Sequence, residues 1–228
     1  MTVEKNCRDC SIRSPLFNFL SDKELELVNQ SSVEVKFRAG ETIRKQGTHL
    51  SHVISLNKGL AKLYLEGIDN RDVILRIIRP TNFIGEQELY VDQMHHYTVT
   101  ALIDSVACFI DIDVFKKVLR SNKDFAEEFI KDLSNNVLTT YARLINLTQK
   151  QIPGRMADAL VYLSDEIFKS KSFTMLLSKQ DLADLSGMSK DSLVRGLKSF
   201  KGDGLINITK DVMEILDYDT LKKISRVG

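Results

Sequence analysis

The sequence predicts an α+β protein with an N-terminal jelly roll (a double-stranded β-helix), one long helix, and a C-terminal helical domain closed by a β-hairpin. Three observations predict it. Residues 32–115 alternate short β-rich runs with turn residues, as closed all-β units do. Residues 121–151 keep one apolar stripe with no Pro or Gly before Pro153-Gly154. Residues 177–216 read as two short helices with a tight turn, followed by a hairpin. The expected division is an arm over 1–20, the β-roll over 21–120, the long helix over 121–151 and the C-terminal domain over 152–228. A chain of 228 residues suffices for two modest domains, each with its own core.

In the arm, Cys7-Arg-Asp-Cys10 and Ser14-Pro15 carry no apolar pattern, and 1–20 is read as outside the core. Ser21-Asp-Lys-Glu24 is a capping box opening a short helix with Leu25, Leu27 and Val28 as its apolar side. The β texture lies in Val33–Phe37, His52–Leu56, Leu60–Leu65, Val73–Ile78, Thr98–Leu102 and Ala107–Ile112, with turns such as Asn57-Lys-Gly59 and Arg79-Pro-Thr-Asn82 between them. Helical texture resumes at Asp113. Along the long helix the stripe runs from Phe125 through Phe129/Ile130, Leu133, Val137/Leu138, Tyr141 and Leu144/Ile145 to Leu147. That is more apolar surface than one small β-domain covers, so pairing with the same helix of a second copy is expected. The alternative is a helix packed wholly on its own roll. Pro153 opens a further helix with Met156, Ala159/Leu160, Leu163 and Ile167 inward. Phe173–Leu177 reads as a strand, and 204–216 as a hairpin before a last helix capped by Asp217 or Asp219.

Within 177–200, Ser178 and Asp181 form a second capping box, and Leu182, Ala183 and Leu185 give the apolar side of the first short helix. Gly187 stands where the chain must reverse, and Ser189 suits an N-cap. On the second helix Leu193, Leu197 and Phe200 share one face; Asp191, Arg195 and Lys198 take the other, flanked by Lys190 and Val194. Arg or Lys pairs with guanine O6/N7 and Asp accepts from cytosine N4, so the unit reads as a helix-turn-helix with its outer face made for the DNA major groove. Gly196 breaks the pattern: it lies inside that helix, costs about 1 kcal/mol relative to Ala, and has no explanation in the sequence.

Composition is that of an ordinary globular protein, and the net charge of +1 carries no global sign of nucleic acid. Locally, 169–201 holds seven Lys/Arg against three Asp, the excess a DNA face needs. No signal peptide or membrane-length apolar run is present, and three cysteines without a secretory signal suggest a reducing cytoplasm with no membrane partner.

The order β-roll, long helix, winged helix-turn-helix resembles the CRP/FNR family of bacterial transcription regulators. Phe83-Ile-Gly-Glu86, Pro153-Gly-Arg155 and Gln180…Gly187-Met-Ser-Lys-Asp191…Arg195 carry the resemblance over nearly the whole chain. It implies a homodimeric DNA-binding regulator whose partners are double-stranded DNA, RNA polymerase and a small-molecule effector. Asp191 and Arg195 occupy the positions that read a guanine–cytosine core in each half-site, although the family's acid is usually the longer Glu. Lys190 stands where the cyclic-AMP-responsive branch has Arg. Ser178, Lys179 and Gln180 match positions that hold the DNA backbone.

Several effector chemistries stay open. Gly85-Glu86 matches the pair that approaches the ribose in the cyclic-nucleotide branch, and Thr140 matches a hydroxyl near the base. His95 and His96, however, stand where the phosphate-holding Arg-Ser pair belongs, and no Arg lies between Arg79 and Arg120. A neutral His does not replace a bidentate, always-charged ligand, so the sequence speaks against cyclic AMP. In the oxygen-sensing branch four cysteines hold a [4Fe–4S] cluster. Cys7, Cys10 and Cys108 match three of them, and Leu16 stands at the fourth. A thiol switch through Cys7-x-x-Cys10, and haem or another metal on His49, His52, His95 or His96, are further alternatives. A reading from another class is a cupin-like metalloenzyme with a helical appendage. It lacks the His-x-His spacing that puts two rings on one strand face, and no Ser-His-Asp set, Walker loop or paired carboxylate stands out. The expectation is no enzymatic turnover.

Overall fold

The structure, a computed structural model, describes residues 14–68 and 71–228. Two compact units emerge: residues up to 65 together with 77–138, and 66–76 together with 139–228.

The first unit is a β-roll with a helical shell. The strands of the roll are β1 (Ser32–Phe37), β2 (Thr42–Arg44), β3 (His52–Lys58), β4 (Ala61–Leu65), β5 (Val73–Ile78), β6 (Phe83–Ile84), β7 (Thr98–Ala101) and β8 (Ser105–Asp111), residues 73–76 of β5 grouping with the second unit. They make two four-stranded sheets, ordered β1-β8-β3-β6 and β2-β7-β4-β5. Along the chain the strands alternate between the two sheets except for β4 and β5, which lie side by side in one, the wiring of a jelly roll. β2 and β6, with three and two residues, are the strands absent from the sequence reading; neither is long enough to show an alternation. In β3, Val53 through Leu56 are all buried. Successive side chains point to opposite faces, so both faces are covered: Val53 joins the core under the helices, while Ile54 and Leu56 face the other way.

The shell consists of α1 (Asp22–Gln30), α2 (Ile112–Ser121) and the start of α3 (Lys123–Gln149). Ser21 and Glu24 form the expected capping box, and Asp111 caps α2 through the amides of Asp113 and Val114. One expectation fails. Residues 15–20 are not outside the core: Pro15–Phe19 is a 3-10 turn that seats Phe17, 4% exposed, against Phe83 at 5.5 Å and Phe125 at 6.3 Å between ring centroids. Phe115 continues this aromatic cluster to Phe83, Phe125 and Phe129 at 5.6–5.7 Å, with tilted rings in the favourable edge-to-face arrangement. The segment is too short to show a helical or strand periodicity, although Leu16, Phe17, Phe19 and Leu20 make it apolar.

Along α3 the stripe changes character. Phe125 and Phe129 are buried, whereas Ile130, Val137, Leu138, Tyr141, Leu144 and Ile145 are each 45–63% exposed. Its C-terminal end belongs to the second unit.

That unit contains α4 (Ile152–Tyr162), β9 (Ser172–Thr174), α5 (Lys179–Ser186), α6 (Lys190–Gly202), β10 (Ile206–Thr209), β11 (Val212–Ile215) and α7 (Tyr218–Val227). Pro153 lies in the first turn of α4, and Asp217 caps α7 through the Thr220 amide at 3.0 Å. A wide π-turn over Leu163–Phe168, not anticipated, carries the chain out of α4. The expected strand over 173–177 is shorter and one residue earlier, and it completes a sheet ordered β10-β11-β9. Asp158 on α4 ties the pieces together, accepting from Asn146, from Lys150 at 3.0 Å and from Ser225 at 2.9 Å. Beside it Arg143 donates to the Ile74 carbonyl at 3.1 Å, and burial holds its pKa below the ordinary arginine range.

Candidate nucleic-acid interface

The geometry of the helix pair follows from local chemistry. Ser178 Oγ accepts from the Asp181 amide at 3.0 Å, and the Asp181 carboxylate accepts from the Ser178 amide at 3.1 Å, so two orphan donors of α5 are satisfied reciprocally. Gly187 ends α5 in the left-handed region at φ 59°, and a side chain there would also run into Leu147. Ser189 Oγ then accepts from the Ser192 amide at 3.2 Å and starts α6. Leu182, Ala183, Leu185, Leu193, Leu197 and Phe200 are all buried, and Ala183 is small enough for close approach of the two helices.

The other side of the pair is solvent-facing. Ser178, Lys179 and Gln180 are exposed at the start of α5; Ser189, Lys190, Asp191, Arg195 and Lys198 are exposed on α6, with Val194 42% exposed among them. These are the residues expected from the sequence, and the fold brings them to one motif. Gln180 Nε2 donates to Asp184 Oδ1 at 2.8 Å. One participant was missed. The Ser192 hydroxyl accepts from Arg195 Nη2 at 3.2 Å and from Ser189 Oγ at 2.9 Å, a chain of contacts at steps of three residues. That spacing was readable, since i and i+3 are neighbours on a helix. The β10–β11 hairpin forms the wing, with Lys210 at φ 54° in its turn, and Lys201 Nζ on α6 donates to the Ile208 carbonyl at 3.1 Å.

Residues expected near an effector behave differently. Gly85 has φ 88°, and its amide donates to Tyr97 Oη at 2.7 Å. Glu86, 2% exposed, accepts from Asn136 Nδ2 on α3 at 3.5 Å. The two histidines part company. His95 is buried with Nδ1 2.9 Å from Glu88 Oε2, and its buried Nε2 has no hydrogen-bond partner. His96 is exposed and pairs with Asp92 at 2.9 Å, while its amide donates to Glu88 Oε1 at 2.5 Å. Thr140 is exposed on α3 and belongs to the other unit. Cys108 lies half-buried in β8 against the aromatic core; Cys7 and Cys10 lie outside the described residues. His52 is half-buried in β3, and His49 stands in an isolated bridge opposite Met94. Among the described residues no three His, Cys, Asp or Glu come together as a metal site, so the cupin-like alternative finds no support. No described helix is long and apolar enough to cross a membrane.

Comparison with known proteins agrees with the two-part construction. Residues 34–122 match the cyclic nucleotide-binding domain family, and residues 154–224 match the Crp-like helix-turn-helix domain. The chain is similar to the CRP-like cAMP-activated global transcriptional regulator of Mycobacterium tuberculosis, 21% identical over 94% of this chain and 97% of the relative. It is also similar to the transcriptional activator protein FnrL of Cereibacter sphaeroides, 22% identical over 90% of this chain and 85% of the relative. In fold it is similar to FixK2 from Bradyrhizobium japonicum, with a TM-score of 0.78 at 16% identity over 86% of this chain and 98% of that one. Both domains occur in one order along one chain, and the relatives span nearly all of it; the protein belongs to the CRP/FNR family of DNA-binding transcription regulators.

Proposed function

We propose that the protein acts as a cytoplasmic homodimer, pairing through the exposed stripe of α3 and reading an inverted-repeat operator with two copies of α6. Six large apolar side chains, each 45–63% exposed on one helix, form a surface that a soluble monomer rarely leaves open. Two-fold pairing puts the half-sites about one helical turn apart, ~34 Å. Arg195 takes guanine O6/N7, and Asp191 accepts from cytosine N4, through water where its short side chain falls short. Lys190 and Lys198 take further bases or phosphates. Ser178, Lys179, Gln180 and Ser189 hold the backbone, where two helix N-termini favour anions. The β-roll carries the effector site around Gly85, Glu86 and His95, and its occupancy shifts the dimer between DNA-binding geometries by about 1–3 kcal/mol. The Gly85 amide already engaged by Tyr97 supports an effector other than a cyclic nucleotide. RNA polymerase is the downstream partner.

The observation that carries the reading is the exposed Lys190, Asp191, Arg195 and Lys198 set on the face of α6 opposite its buried residues. Selection of duplexes from a random pool, followed by binding titration, tests it. The enriched duplexes are inverted repeats, and Arg195→Ala loses about 1–3 kcal/mol of affinity with relaxed preference at one base pair of each half-site. An unchanged base profile for that variant overturns the reading.

A further inference from the structure

Gly196 is the residue of α6 that the amphipathic pattern does not explain, and the structure shows what stands beside it. A Cβ at Gly196 would lie 2.8 Å from Met156 Sδ and 2.9 Å from Met156 Cε, closer than carbon and sulfur approach without moving apart. Met156 comes from α4, forty residues earlier, and is fully buried. The missing side chain on one helix is thus filled by the end of a thioether from the other. Arg195 and Val194, the neighbours of Gly196 in the chain, are exposed on the outer side of the same helix.

We propose that Met156 seated in the Gly196 notch is the device that sets the depth and roll of α6 on α4, and so holds Arg195 and Asp191 at the height needed to meet base edges. Both are positioning residues, acting through the side chains that touch DNA. The inference rests on the reading of α6 as the DNA-reading helix and deepens it. Glycine disfavours a helix interior, so its presence here serves close helix approach. Methionine, unbranched and adaptable, fits an irregular gap that a branched side chain would not. The same adaptability means that one added methyl is absorbed by a small shift of the thioether, whereas a longer side chain lifts the helix.

The test compares affinity for the selected operator with affinity for a random duplex of equal length at fixed salt, using the full chain. Non-specific binding depends on phosphate contacts and tolerates a small displacement of α6; base contacts do not. Gly196→Leu is expected to lower operator affinity about tenfold or more while random-duplex affinity stays within about twofold. Adding Met156→Ala to Gly196→Leu is expected to restore the operator-to-random ratio to within about threefold of wild type. Gly196→Ala alone stays within the same threefold. An unchanged ratio for Gly196→Leu, no rescue by Met156→Ala, or a parallel fall of both affinities overturns the proposal. Should Gly196→Leu not fold, Met156→Phe with Gly196 in place applies the same push from α4; it lowers the ratio, and an unaltered ratio overturns the proposal. Wild-type protein that shows no operator preference at all would instead overturn the DNA-reading assignment of α6.

Discussion

The Gly85 corner of the β-roll and the outer face of α6 treat their polar groups in opposite ways. At the corner the chain answers most of its own polar groups, with the buried His95 Nε2 left over. Tyr97 takes the Gly85 amide, Glu88 takes both the His95 ring and the His96 amide, and Asn136 reaches Glu86. Glu86, Glu88 and His95 are each at most 3% exposed. On α6 the charged groups stand in water, and the one short contact to a guanidinium, Ser192 to Arg195, orients it without covering it. Burying polar groups costs free energy unless they are paired, so these internal contacts stabilise the corner and leave the His95 Nε2 as the group an effector would meet. The α6 face forgoes internal pairing and keeps its donors and acceptors for an outside surface. The exposed stretch of α3 is the apolar counterpart of that open face.

The sharpest way to break this contrast is to charge the apolar open face. Leu144 is 59% exposed, so Leu144→Glu costs a lone subunit little. If the stripe pairs two copies, the substitution buries a carboxylate in the interface. The expected result is a sedimenting mass halved at micromolar concentration, unchanged helix content, and operator affinity reduced about a hundredfold as the two half-sites cease to be bound together. A variant that remains dimeric, or a wild type that is already single, removes α3 pairing from the account.

The closed corner makes the opposite prediction. Tyr97→Phe keeps the ring and deletes the hydroxyl, leaving the Gly85 amide buried without its acceptor. Urea unfolding should show a loss of about 1–3 kcal/mol, the cost of an orphaned buried donor. Operator affinity of the folded fraction should stay near wild type, because this contact holds the roll and not α6. A neutral Tyr97→Phe would mean that the corner has room for a water or a ligand to replace the hydroxyl, and the site would count as open.

How much of this was legible follows the same division. The caps at Ser21, Ser178, Ser189 and Asp217, the Gly187 reversal and the outer face of α6 were readable because each depends on residues within about four positions, the reach of a helical turn. The fate of the histidines was not. His95 and His96 are adjacent in a loop with no periodicity, and Glu88, seven and eight residues away, decides that one is buried and the other exposed. Phe17 joined the core through Phe83 and Phe125, contacts that local pattern does not contain. Gly196 made sense only beside Met156. Ser192 is a different kind of miss, since its three-residue spacing to Ser189 and Arg195 was visible all along.

The smallest effect sharpens the contrast within the roll itself, at a site between open and closed. His52 is half-buried, with Ser51 Oγ 2.8 Å from its Nδ1 and its ring edge-on to Phe109 at 5.9 Å; the Arg44 guanidinium lies 4.5 Å over the Phe109 ring. Burial first, and the Arg44 charge second, hold the His52 pKa below the ordinary histidine value, with Asp111 pulling the other way. The unfolded chain therefore takes up the proton at a higher pH than the fold does. Stability from neutral His52 is complete above about pH 6.5 and is lost as pH falls below that through the folded value, because the unfolded state then binds more protons. Since the ring is partly solvated, the loss is small. Urea midpoints for wild type and His52→Gln between pH 7.5 and 5.5 read it: the wild type declines more steeply on acidification, and the two curves converge. Parallel curves would place His52 fully in solvent, and a wild type that gains on acidification relative to the variant would mean that Asp111, not Arg44, governs the ring.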